Sequence, residues 1–161
     1  MKKMCSRWNI LLAFLFVGCA GFDRPHASFL AITHVSLADL VASGWALLDD
    51  AAPSTFEIES LRPCSFLKEG ESWIDGDEMR KRAVGLKANL SFADGERLLA
   101  EQDKIPKELQ GFYILLPGTV LRAPDGDLGI PYLVFDGGRW VRRFRWLKSL
   151  WYDLTHFACS T

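Results

Sequence analysis

Residues 132–146 constrain the fold more than any other part of the chain. Tyr132-Leu-Val-Phe135 has the composition of a strand, Asp136-Gly137-Gly138 is turn chemistry, and Arg139 to Trp146, rich in bulky and basic side chains, returns as the partner strand. Two strands joined by so short a turn must pair antiparallel. Upstream, Phe112–Leu116 reads as a buried strand, Pro117-Gly118 as a bend, Thr119–Arg122 as extended chain, and Pro124-Asp125-Gly126-Asp127 as a turn. Pro131 has no N–H to donate and predicts an edge or a bulge. Residues 147–157 are expected to close the fold as a short helix.

The first half reads as helical. Ser36 and Asp39 have capping-box spacing, and Val35 with Leu40 makes a hydrophobic staple. Leu37, Leu40, Val41, Gly44, Trp45 and Leu48 follow helical spacing, predicting a helix over 37–49 that Pro53 ends. Residues 51–72 read as a loop-rich connection with a short strand at 55–58. Asp75 to Glu78 starts a second helix, with Ile74 and Met79 as its staple and Met79, Ala83 and Leu86 as its buried stripe. Arg80, Lys81 and Arg82 are expected to face mostly water. A third helix begins near Ser91, with Asp94 three residues on, and Pro106 opens a further turn that Gly111 closes. Helices first and strands second predict an α+β fold, N-terminal helices packed on a C-terminal antiparallel β-meander of three to four strands. At 161 residues there is room for one core, so a single domain is expected over 36–161.

The N-terminus carries a different kind of information. Lys2, Lys3 and Arg7 precede Ile10 to Val17, an apolar stretch too short for the roughly 20 residues that a membrane span needs. It fits the h-region of a secretory signal peptide. Phe16-Val17-Gly18-Cys19 then resembles the lipobox of bacterial lipoproteins, with Phe16 where leucine is usual. The resemblance covers only the leader. It implies a signal peptide over 1–18, lipidation of Cys19 by acyl chains such as palmitate, and a lipidated tether over 19–35. It also implies sorting to the outer membrane, facing the periplasm, in a cell with two membranes, because Ala20 rather than Asp follows the cysteine. Gly18 and Ala20 equally give the small-x-small pattern of ordinary cleavage after Ala20, which would release a soluble secreted protein.

Charge and cysteines follow from that processing. The chain has 19 basic and 20 acidic side chains; without Lys2, Lys3 and Arg7, 16 basic face 20 acidic, a net charge of −4. An exported chain of that charge is not expected to bind nucleic acid. Cys5 would leave with the leader, so Cys64 and Cys159 remain as an even pair. In an oxidising compartment such a pair suggests a disulfide, the alternative being two separate buried thiols. Neither lies in a CxxC, and no HExxH or GxSxG is present, so no metal, cofactor or catalytic residue is assigned. A Cys64–His156 nucleophile pair would compete with the disulfide.

The most unusual stretch lies between Arg139 and Lys148, with five basic residues and no acidic one. On a strand, Trp140, Arg142, Phe144 and Trp146 share one face, and Val141, Arg143 and Arg145 share the other. Arg139, Trp140, Arg142, Arg143, Arg145 and Trp146 are the candidate residues for holding an anionic surface. The plainer reading makes the aromatics core and pairs the arginines with acids elsewhere. Trp73, Trp140, Trp146 and Trp151 with Tyr113 and Tyr132 would alternatively line a carbohydrate-stacking groove. Asp75/Asp77 and Asp125/Asp127 fail the ligand spacing of a calcium loop and read as a helix cap and a turn. The expected function is therefore a membrane-anchored bacterial lipoprotein whose small envelope domain binds or braces, its partner a cell-wall component or an envelope protein. The alternatives are a small cell-wall hydrolase using Asp75, Asp77 or Glu78, and a secreted factor docking through its Arg/Trp segment.

Overall fold

The computed structural model describes residues 35–152 and 155–160. The expected signal peptide, the lipobox-like residues with Cys19, and the expected tether before residue 35 lie outside the described residues.

Ser36 caps α1 (Leu37–Ala42) in a reciprocal box: its Oγ accepts from the Asp39 N–H at 3.2 Å, and the Asp39 carboxylate accepts from the Ser36 N–H at 3.1 Å. The helix is one turn and a half, not the predicted span over 37–49. Gly44, at φ +92°, ends it in a Schellman motif. The Trp45 N–H reaches the Leu40 carbonyl and the Gly44 N–H reaches that of Val41, both at 3.0 Å. The residues after Gly44 then extend as β1 (Ala46–Asp50). In place of the strand expected at 55–58 there is a 3-10 turn (Ile58–Ser60), followed by β2 (Leu61–Cys64). A two-residue strand, β3 (Trp73–Ile74), precedes α2 (Gly76–Gly85), and α3 (Phe92–Ala100) follows. Asp75 caps α2 and a second capping box, Ser91 with Asp94, opens α3, as their sequences predict.

Two further 3-10 turns (Gln102–Lys104 and Lys107–Gly111) lead into β4 (Tyr113–Leu115), β5 (Thr119–Arg122), β6 (Leu128–Asp136) and β7 (Arg139–Trp146). The predicted hairpin is present: Asp136 faces Arg139, and Gly137 and Gly138 both have positive φ. The helix expected over 147–157 is not. That stretch contains β8 (Trp151–Tyr152) and β9 (Thr155–Ser160), and β9 runs parallel to β4.

The N-terminal-helices-on-meander arrangement is thus overturned. The chain forms a curled, mixed sheet of seven strands, ordered β1-β5-β6-β4-β9-β2 with β7 on the other edge of β6, and β3 and β8 make a separate ribbon. Strands from the first half, β1 and β2, form its two ends. Residues 155–158 of β9 are all buried, so the period-2 alternation that marks a half-exposed strand is absent there.

One irregularity shapes the sheet. β4 and β5 both lie antiparallel on the same edge of β6, with Leu115 facing Tyr132 and Leu121 facing Gly129. Between those points five residues (116–120) stand opposite two (130–131), so β4 and β5 are halves of one strand split by a bulge at Pro117-Gly118. Pro131 lies opposite that bulge. The Leu147 N–H donates to Leu128 at 2.8 Å, which puts the even-numbered backbone groups of β6 toward β7 and turns the Pro131 nitrogen toward the gap. Gly118 tolerates no side chain: a Cβ there would lie 2.7 Å from the carbonyl oxygens of Asn89 and Leu90. Its N–H donates to Leu90 and its carbonyl accepts from Ala51, both at 2.9 Å, tying the bulge to the segments before α3 and after β1.

Both faces of the sheet are covered. On one, Ile114, Leu133, Trp140, Ala158 and Leu61 pack under Leu98 and Leu99 of α3 and under Leu109. Leu40, Phe92, Leu121 and Phe144 continue that layer. On the other, Leu115, Ile130 and Phe157 pack under Met79 and Ala83 of α2, with Phe66, Ile74 and Trp151.

Candidate aromatic and arginine surface

The β6–β7 register decides which of the candidate residues reach the outside. Trp140, Arg142, Phe144 and Trp146 share a face, as alternation predicts, and that face is turned toward α1 and α3. Trp140 is a core residue, and its ring meets Phe135 edge-on at 5.6 Å. Trp146 stacks against Trp45, ring centroids 6.3 Å apart. Arg142 is 3% exposed and lies over the Phe92 ring at 4.0 Å. It bonds Glu96 at 2.5 Å and the Val35 carbonyl at 3.0 Å. Burial pulls its pKa down and the Glu96 charge opposes that.

Arg143 and Arg145 are on the opposite face, half-buried, and Arg139 is exposed at the hairpin. Arg143 is ion-paired with Asp136 and directly opposite Tyr132, whose ring meets that of Tyr113 at 5.1 Å. Burial raises the Tyr132 phenol while the positive charges of Arg143 and Arg145 hold it back. Arg145 donates to the Leu150 carbonyl at 2.8 Å. Its guanidinium lies 5.3 Å from the Trp151 ring centroid and 5.7 Å from that of Tyr152. Trp151 is fully buried, but Tyr152 is 46% exposed, Leu150 41%, and Trp73, directly opposite Tyr152 on the ribbon, 53%. The six rings of the carbohydrate-groove reading therefore do not line one groove: Trp140 and Trp146 are on the far side of the sheet from Tyr132, and Trp151 is core.

The segment carrying Trp73 is fixed from α2. Arg82 donates to the Phe66 carbonyl at 2.8 Å, to Glu71 at 2.9 Å and to Glu78 at 2.9 Å. The Arg82 hydrogen bond is the main reason the Glu71 carboxyl is held down at about 2, and that pairing in turn raises the guanidinium. On the β2–β9 pair, Cys64 and Cys159 are diagonal neighbours bonded as a disulfide, their Cα atoms 6.0 Å apart. Cys64 is thereby unavailable as a nucleophile beside His156, whose ring packs on Phe112 at 4.1 Å.

The hydrolase candidates meet in an open cleft of about 610 Å³ between the start of α2 and residues 126–128 and 147–148. Asp75 accepts the Glu78 N–H as the helix cap, Glu78 is bonded to Arg82, and Asp127 is paired with Lys148 at 2.5 Å. Among the described residues no group of three or more His, Cys, Asp or Glu is arranged to hold a metal ion. Sequence reasoning did not identify Leu150 and Tyr152 as surface residues; the signal that misled it was the helical reading of 147–157. Comparison with protein-family models, with curated proteins and with solved structures finds no match to the chain.

Proposed function

We propose that the chain is a lipoprotein of a bacterial envelope, held through acylated Cys19, whose sheet-rich domain serves as a binding or bracing module on the aqueous side. The observation that carries this reading is the leader: a basic start, an apolar stretch ending at Val17, and the Phe16-Val-Gly-Cys19 sequence. The Cys64–Cys159 disulfide supports it, because such bonds persist in oxidising compartments outside the cytosol. No helix among the described residues is long and apolar enough to cross a membrane. Two or three acyl chains hold a protein stably where one binds only marginally.

The test is the intact mass of the protein recovered from the membrane fraction, beside a Cys19→Ala variant. A chain beginning at Cys19 and carrying the mass of two or three acyl chains is expected, with the variant losing both the cut and the lipid. A chain beginning at Gly21, or retaining Met1, would sink the lipoprotein reading and turn the search to soluble partners.

A further inference from the structure

We propose that the surface formed by Trp73, Leu150, Tyr152 and Arg145 rests on the anionic phospholipid headgroups of the membrane that holds the chain, and so orients the domain on it. The inference builds on the lipoprotein reading, which brings the domain within reach: residues 19–34 span at most about 55 Å when fully extended.

Exposure comes first. Trp73 and Tyr152 face each other across the β3–β8 ribbon, each about half exposed, with Leu150 beside them. Trp and Tyr have an apolar body and a polar tip, and they concentrate at the headgroup level of bilayers for that reason. Charge is the second argument. Glu71 is paired with Arg82, Asp127 with Lys148 and Asp136 with Arg143, so these three carboxylates are compensated within the domain. Arg145 is held by a carbonyl and two aromatic rings, so its charge is presented next to the exposed rings. Basic side chains at that depth are attracted to anionic lipid.

Area selects among occupants. Two half-exposed aromatics and a leucine offer about 200–300 Å², against about 800 Å² per partner in a stable protein interface. That is too little for a second copy of the chain. A fluid bilayer needs no matching shape, and a covalent anchor makes the contact intramolecular, so a small patch suffices.

The experiment uses the acylated chain reconstituted into phosphatidylcholine vesicles with or without phosphatidylglycerol. Tryptophan quenching by brominated lipid chains is read for the unaltered protein, Trp73→Phe and Arg145→Ser. Quenching is expected to be about twofold or more stronger with phosphatidylglycerol, to weaken as salt rises, and to fall by a similar factor in either variant. Equal quenching in the two lipids, or none lost in Trp73→Phe, overturns the proposal. A second arm floats an unacylated chain that begins at Ala20, lacking the leader and Cys19, with phosphatidylglycerol vesicles at low salt. Flotation that Trp73→Ser and Arg145→Ser abolish supports the docking surface even where the intact mass shows no acyl chain. Acylation without quenching that depends on Trp73 leaves the lipoprotein reading standing and removes this one. Retention on purified cell-wall glycan, lost in Trp73→Ser and with no bromine quenching, would reassign the surface to saccharide stacking.

Discussion

Arg82 shows how much of this molecule turns on single side chains with distant partners. Its sequence context, Arg80-Lys-Arg82 on a helix, argues for a solvated face, yet its side chain fastens residues 66–71 to α2. Arg80 likewise reaches the Pro117 carbonyl at 2.9 Å and Asp49 at 2.5 Å. The caps at Ser36, Asp75 and Ser91 were legible because donor and acceptor lie three residues apart. Arg80 and Arg82 were not, because most of their partners lie 11 to 37 residues away and only the fold brings them together. The Arg82–Glu71 contact makes a prediction about acid. Glu71 sits at about 2 in place of its ordinary 4.5, so its carboxylate contributes stability that is fully present above pH 4.5 and is lost as the pH falls toward 2. In urea titrations across that range, Glu71→Gln should show a shallower loss of stability than the unaltered chain, the two curves converging near pH 2. Parallel acid limbs would mean that the pair does not hold the loop that carries Trp73.

At the level of elements, what could be read was what is local. The β6–β7 hairpin, the turn at 124–127 and the starts of α2 and α3 depend on neighbouring residues, and each is where its sequence puts it. β1, β2 and β9 depend on strands far along the chain. Residues 37–48 carry a helical spacing that Gly44 interrupts, and Pro63 lies within β2, where only the edge position makes it acceptable. The outward aromatic surface was missed for the same reason: it needs β8 to pair with β3, and nothing near Tyr152 announces Trp73. The β2 edge has its own safeguard. Four residues long and paired only with β9, it is tied there by the Cys64–Cys159 bond across a separation of 95 residues. Cys64→Ser with Cys159→Ser is expected to lower unfolding free energy by up to about 4–5 kcal/mol, read from urea midpoints. Amide exchange should rise in β2 before it rises in the β6–β7 hairpin. An unchanged midpoint would show that strand pairing alone holds the edge.

At the scale of the whole molecule, the sheet is a shared wall. β4, β6 and β9 contribute Ile114, Leu133 and Ala158 to one layer and Leu115, Ile130 and Phe157 to the other, so neither layer can form without the strands the other needs. A chain held at its N-terminus and resting on a surface through the β3–β8 ribbon would transmit load between those points through this wall. Met79 tests whether the wall couples the two layers. It is fully buried in α2, against the sheet face opposite α3. Met79→Ala should cost about 2–5 kcal/mol through the cavity it leaves. If the layers unfold as one unit, hydrogen exchange in the slowest amides of α3, across the sheet, will accelerate by the same free energy as in α2. If exchange rises in α2 alone, the α2 layer opens by itself. The surface at Trp73 would then be positioned by a part of the molecule that can detach while α3 and its side of the sheet stay folded.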